Sequence, residues 1–196
     1  MLKAIRPAIV SMVFFTLILG LAYPLAMTGL IGVVLPGQAG GSLVKGAGGQ
    51  VIGSALIAQA FTRPEYLHPR LSAAGNGYDP MNSGGSNYGP LDHKLIDRVK
   101  GDAISIAKED GPGAIPADAV TTSASGLDPD VSPENARLQL VRIAAHRGAA
   151  PAQIAAVVDA STREPFLGFV GQPAVNVLAV NLALDARFPM AHPKGP

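Results

Sequence analysis

One N-terminal transmembrane helix followed by a small α/β (α+β) soluble domain is the architecture predicted by this 196-residue sequence. Three observations predict it. Between Arg6 and Lys45 there is no Asp, Glu, Lys, Arg or His, and the first acidic residue is Glu65. Charged residues are only 15% of the chain while 48% are apolar, against roughly 25% charged in an ordinary soluble domain. Beyond the uncharged stretch, short β-type runs alternate with helix starts marked by caps and prolines.

The helix is justified first. Ala8 to Leu35 is apolar with only scattered Ser, Thr and Gly, and shows no polar face. A core helix of a soluble domain would show one, and about 20 apolar residues suffice to cross a bilayer. A cleaved signal peptide is the rival, with Lys3 and Arg6 as its basic end and small residues at Gly20-Leu21-Ala22. The apolar run continues from Leu25 to Leu35, past any such cut, so the anchor is preferred. Pro24 interrupts the run, which membrane helices tolerate. Lys3 and Arg6 before the helix keep the N-terminus cytoplasmic by the positive-inside rule. The expected organisation is therefore 1–7 cytoplasmic, 8–35 transmembrane, 36–41 linker and 42–196 an extracytoplasmic domain on the plasma (inner) membrane. Ala22, Ala26 and Gly29 form a small-residue face suited to close packing on a membrane partner, with the lipid bilayer around the remainder.

The soluble part is about one domain long. Two of the 15 basic residues precede the helix, which leaves 13 to balance 14 acidic ones. Ser42–Val44 and Val51–Ile57 read as short strands around a Gly46–Gly49 turn. Residues 61–89 are loop-rich. Pro90 opens a helix to about Lys108, with Leu91, Leu95, Val99 and Ala103 repeating every four residues. Ala119–Thr122 reads as a strand. Ser132-Pro133-Glu134 starts a helix that runs to Arg147 and stops at Gly148. Pro151 opens another, with Ile154, Val157 and Val158 inward. Val175–Leu184 alternates like a strand, yet Asn176 fits a helix cap, and helix is the preferred reading.

Composition and motifs exclude several functions. A net charge of +1 gives no field for nucleic acid. With no cysteine there is no disulfide, thiolate nucleophile or Cys-ligated metal. No phosphate-binding Gly-x-x-x-x-Gly-Lys-Ser/Thr and no Gly-x-Ser-x-Gly elbow occur. Ser83-Gly84-Gly85-Ser86-Asn87 could offer N–H groups to an anion, but reads better as a turn feeding a helix cap. His68, His93, His146 and His192 lack metal-ligand spacing, and His146 beside Arg147 suits a helix C-terminus. Asp128-Pro129-Asp130 reads as the turn ahead of Ser132. No active site is assembled, so the residues favour an accessory role over an enzyme. They also fit, as an alternative, an envelope-anchored binding or structural domain.

Ordered blocks across nearly the whole chain narrow the choice. They are Tyr23-Pro24-Leu25; Gly53-Ser54, Leu56-Ile57, Gln59 and Phe61; His68-Pro69-Arg70 with Ser72-Ala73; and Ser83-Gly84-Gly85-Ser86-Asn87 with Gly89-Pro90. Ser125-Gly126-Leu127-Asp128-Pro129 with Val131-Ser132-Pro133, Gly171-Gln172-Pro173 with Val175-Asn176-Val177-Leu178, and Asn181-Leu182-Ala183-Leu184-Asp185 complete them. With these blocks the chain resembles the C subunit of the Kdp-type high-affinity potassium-transporting P-type ATPase complex. Ala55, Ala58 and Leu71 depart from the residues more usual in that family. The resemblance implies a non-catalytic accessory subunit of an ATP-driven potassium uptake complex. Its partners would be a potassium-channel-like subunit and a P-type ATPase subunit. It would carry no cofactor of its own and meet ATP only through the complex. The chain has neither a Thr-Val-Gly-Tyr-Gly filter nor an Asp-Lys-Thr-Gly phosphorylation motif, consistent with a third subunit. The resemblance also implies a catalytic chaperone that raises the ATP affinity of the hydrolysing subunit, with Gln172 as nucleotide contact. Positive-inside topology implies otherwise. A domain held outside would stabilise the assembly or cover the ion entrance.

Overall fold

The computed structural model describes residues 2–46 and 48–190, in two compact units divided between Ile52 and Gly53. The first is dominated by one long helix. Helix α1 (Leu2–Leu17) passes through a π-turn (Ile18–Ala22) into α2 (Tyr23–Val34) without a break. Residues Lys3–Val34 form a 32-residue span with a mean hydropathy of 2.2 in its most apolar window, none of it buried by the rest of the chain. At a rise of about 1.5 Å per residue the span is long enough for the roughly 30 Å hydrocarbon layer. Pro24 accounts for the π-turn. In a regular α-helix its ring would press on the carbonyl four residues back, and the wider turn relieves that contact. Leu35, at φ −132°, ends the helix, and Pro36–Ala39 adds a turn, α3, inside the segment expected to be a linker. Strands β1 (Leu43–Lys45) and β2 (Val51–Ser54) follow as a two-stranded sheet. The strand expected to reach Ile57 stops at Ser54, whose hydroxyl accepts the Leu56 N–H and turns the chain.

The second unit mixes helices with a small sheet, as its sequence predicts. Helix α4 spans His93–Asp110, not Pro90–Lys108. Asp92 is its cap, with Oδ1 accepting the Lys94 N–H at 2.8 Å. Leu91 therefore lies before the helix, 87% exposed, and the inward stripe begins at Leu95. The expected strand at Ala119–Thr122 is instead a short helix, α5 (Ala117–Val120). Pro116 at its N-cap and Asp118 in its first turn set a helical start, and the Thr121 hydroxyl bonds back to the Ala117 carbonyl at 2.7 Å. That local chemistry outweighs the β preference of Val-Thr-Thr.

Ser132 caps the next helix as expected, its Oγ accepting the Asn135 N–H at 3.0 Å. The run to Arg147 is broken at Gln139 into α6 (Pro133–Leu138) and α7 (Leu140–Arg147), and ends at Gly148 with φ +63°. Helix α8 is Pro151–Ala160, with Ile154, Val157 and Val158 buried. The ambiguous C-terminal run is both elements in turn. Strand β5 (Ala174–Asn176) leads into α9 (Val177–Arg187), and Asn176 caps that helix through the Ala179 N–H at 3.0 Å. Strands β3 (Asp130–Val131) and β4 (Thr162–Arg163) flank β5, both antiparallel, with Val131 and Thr162 opposite Val175. Asp130, expected in a turn, thus belongs to a strand. One core joins Val131 and Val175 of this sheet to Ile143, Ile154, Val158, Val180 and Leu184 of the helices.

Candidate functional site

Gln172 lies in the loop from β4 to β5, exposed, three residues before the buried Val175 begins the core. The chain ahead of it folds into a small hairpin. Phe166 and Val170 exchange both main-chain hydrogen bonds, at 3.0 and 2.9 Å, around Leu167, Gly168 and Phe169. Leu167 and Gly168 take positive φ, +55° and +79°, which turns the chain back on itself within this short loop. Phe166, Leu167 and Phe169 project from this tip more than two-thirds exposed, with Val170 about half exposed. The polar pocket beside Gln172 has a different character. Its walls include Arg70, Asp118, Asp128, Asp130 and Ser132.

Every carboxylate in that wall is already engaged. Asp118 accepts Ser132 N–H, Ser132 Oγ and Asn135 Nδ2, tying α5 to the cap of α6. Asp128 pairs with Arg70 at 2.9 Å and accepts the Asp130 N–H. Asp130 pairs with Arg163 and accepts Asn176 Nδ2. Three carboxylates face one guanidinium in the lining, so acidic side chains outnumber basic ones there. The Ser83–Asn87 segment is tied to a neighbouring loop, with Ser83 Oγ on the Ser125 carbonyl at 2.9 Å. It runs against residues 122–126, with Gly84 N–H on the Ser125 carbonyl at 2.8 Å, and it ends five residues before Asp92, the cap of α4.

A second polar pocket lies between loop 63–72 and α4, lined in part by His68, Asp102, Glu109, Asp110 and Gln139. Buried Arg142 organises its floor. Its Nε bonds Asp110 at 2.7 Å, Nη1 bonds the carbonyls of Pro64 and Tyr66, and Nη2 bonds Gln139. Burial, then the adjacent guanidinium, holds His68 below the usual imidazole range, while burial pushes the Asp110 carboxyl up despite Arg142. His68 Nε2 meets the Arg63 carbonyl at 3.0 Å and Nδ1 lies 3.4 Å from Glu109.

The same loop is gripped elsewhere by side chains alone. Asn181 bonds both N–H and C=O of Leu67, at 2.8 and 3.0 Å, and Gln139 bonds both of His68, at 2.8 and 3.2 Å. Arg147 bonds the Glu65 and Phe188 carbonyls and Asp185. The expected dipole role of His146 and Arg147 thus gives way, for Arg147, to a buried clamp. Gln139 was not singled out by motif, and Asn181 only as one residue of a block that carries the resemblance. The available signal was register: Gln139 shares a helical stripe with Ala136 and Ile143, and Asn181 with Val177 and Leu184.

In the membrane helix, Ala22 closes the π-turn and Ala26 and Gly29 follow it in α-helical register, so all three stay on one side. A Cβ added at Gly29 would meet nothing within 4 Å. Gly20 and Pro24 lie on the other side, above a shallow groove formed by Met27, Thr28 and Ile31 with Ala39.

Sequence comparison matches residues 5–186 to the family described as KdpC: K+-transporting ATPase, c chain. The chain is 60% identical over 195 residues to the potassium-transporting ATPase KdpC subunit of Caulobacter sp. (strain K31), covering 100% of both chains. It is 54% identical to that of Beijerinckia indica, again over 100% of both, and 51% identical to that of Myxococcus xanthus over 95% of this chain and 88% of the other.

Proposed function

The chain belongs to the KdpC family of K+-transporting ATPase subunits, and from that premise we propose that its soluble domain serves the complex through subunit contact, not nucleotide contact. It is one subunit of a potassium-transporting ATPase complex, with one helix long and apolar enough to cross the membrane. In this reading the domain lies outside, beside the channel-like and ATP-hydrolysing subunits, and supports assembly or ion access. It performs no hydrolysis itself.

The observation that carries the reading is the junction at Gln172. An exposed Phe166–Val170 tip adjoins a pocket walled by Asp118, Asp128 and Asp130. Apolar side chains presented this way gain free energy when another protein covers them, whereas the acidic wall opposes a polyphosphate. Gln172→Ala should leave the apparent ATP KM of the purified complex nearly unchanged. Phe166→Ser with Phe169→Ser should lower complex yield or K+ affinity. The catalytic-chaperone reading anticipates the reverse, a several-fold rise in ATP KM for Gln172→Ala with assembly intact. Topology is tested separately. The natural chain has no cysteine, so Leu91→Cys gives a single thiol that impermeant reagents should label from outside intact cells. Labelling only after the membrane is opened would reverse the orientation.

A further inference from the structure

The π-turn leaves a polar atom at mid-membrane. The Tyr23 N–H bonds the Ile18 carbonyl, so it does not serve Leu19, and the next residue, Pro24, has no N–H to give. The Leu19 carbonyl therefore lacks both main-chain donors that a helix could offer it. Leu19 falls at the centre of the Lys3–Val34 span, where neither water nor lipid tails supply a donor and an unmet carbonyl is unfavourable.

The surroundings of that carbonyl fit a neighbouring helix. Gly20 bears no side chain, and the nearest atom to a Cβ placed there is Thr16 Cγ2 at 3.8 Å. Below it on the same side are Pro24 and the groove of Met27 and Ile31. The Ala22, Ala26 and Gly29 face points away. We propose that the Gly20–Pro24–Met27–Ile31 side of the helix docks on a membrane-embedded subunit of the same complex, whose hydroxyl, amide or indole donates a hydrogen bond to the Leu19 carbonyl. This deepens the subunit reading and rests on it. It also reassigns close helix packing from the small-residue face, where the sequence placed it, to the opposite one. The small residues at 22, 26 and 29 then face lipid, and the wide turn at Gly20 is what lets a partner backbone come near.

The test uses the full chain expressed with its complex. A photoreactive benzophenone side chain at Met27 or at Ile31 should crosslink strongly to a larger membrane subunit, and the same group at Ala26 or Val33 should not. Pro24→Ala restores the missing N–H, and Gly20→Leu blocks the approach. Each should lower copurification of the complex roughly fivefold, the effect of about one hydrogen bond, with membrane insertion unchanged. Ala22→Leu with Ala26→Leu should leave copurification intact. Crosslinking from Ala26 and Val33 instead, or equally from both sides, overturns the assignment of the face. Full copurification of Pro24→Ala overturns the carbonyl contact. Failure of the unmodified tagged chain to copurify with any membrane subunit would defeat the subunit reading rather than this one.

Discussion

Arg142 shows how one side chain can decide a fold that sequence periodicity does not describe. Its guanidinium side chain is 4% exposed yet satisfied by a carboxylate, an amide and two carbonyls. Buried charges survive only when paired and hydrogen-bonded in this way. Arg142→Ala would strand the Asp110 carboxyl and the Pro64 and Tyr66 carbonyls, and should destabilise the domain by about 3–5 kcal/mol. Urea unfolding of the full chain in detergent, followed by tyrosine fluorescence, would measure it. His68 makes the same network sensitive to acid. Its folded pKa lies below its unfolded value of about 6.5, so the unfolded chain takes up the proton first as pH falls. The contribution is complete above that value and is lost below it. Protonation would give Nδ1–H to Glu109 but place a second cation beside Arg142, with Asp110 shared between them. The melting temperature should fall on acidification from about pH 7.5 to 5.5, and His68→Gln should flatten that slope. An unchanged slope would assign the acid sensitivity to other groups.

Elements bounded by strong local chemistry were legible, and those decided by tertiary contact were not. Ser132-Pro133, Gly148, Pro151 and Asn176 each mark a boundary that the chain honours, because caps and prolines act within a few residues. Ala119–Thr122 reads as strand in the sequence because Pro116 and Asp118, which set the helical start, lie just outside the β-like window. The break at Gln139 escaped detection for a different reason. Its amide is drawn inward by His68, Asn135 and Arg142, partners 71, 4 and 3 residues away. At this scale Gly126 carries a sharp prediction. It holds φ +68°, and a Cβ there would come within 2.7 Å of Ala74 and 2.9 Å of the Gly84 carbonyl. Gly126→Ala combines backbone strain with a clash between three segments, and should cost at least about 1–3 kcal/mol. A thermal shift measurement on the full chain checks it, and an unshifted midpoint would show that the three segments separate easily.

Across the whole molecule, the uncharged N-terminal stretch made the long apolar helix readable at once, since a bilayer imposes length and polarity directly. The fold class followed from the alternation beyond it. The candidate site was less legible. Gln172 was reached only through resemblance, and nothing in its triplet Gly171-Gln172-Pro173 announces the acidic wall contributed by residues 118, 128 and 130.

The clamp on residues 64–68 has a consequence for solvent exchange. The amide protons of Leu67 and His68 are held by Asn181 and Gln139, in a loop that belongs to no strand or helix. Leu67 is fully buried, and its proton is freed only when a side chain of α9 lets go. Its deuterium uptake should be as slow as that of the core helices, because both require the same opening. Asn181→Ala should speed uptake at Leu67 while leaving His68 slow under its own amide. A protection map interpreted by the usual rule, with slow protons marking regular structure, would draw a strand where this protein has two carboxamides.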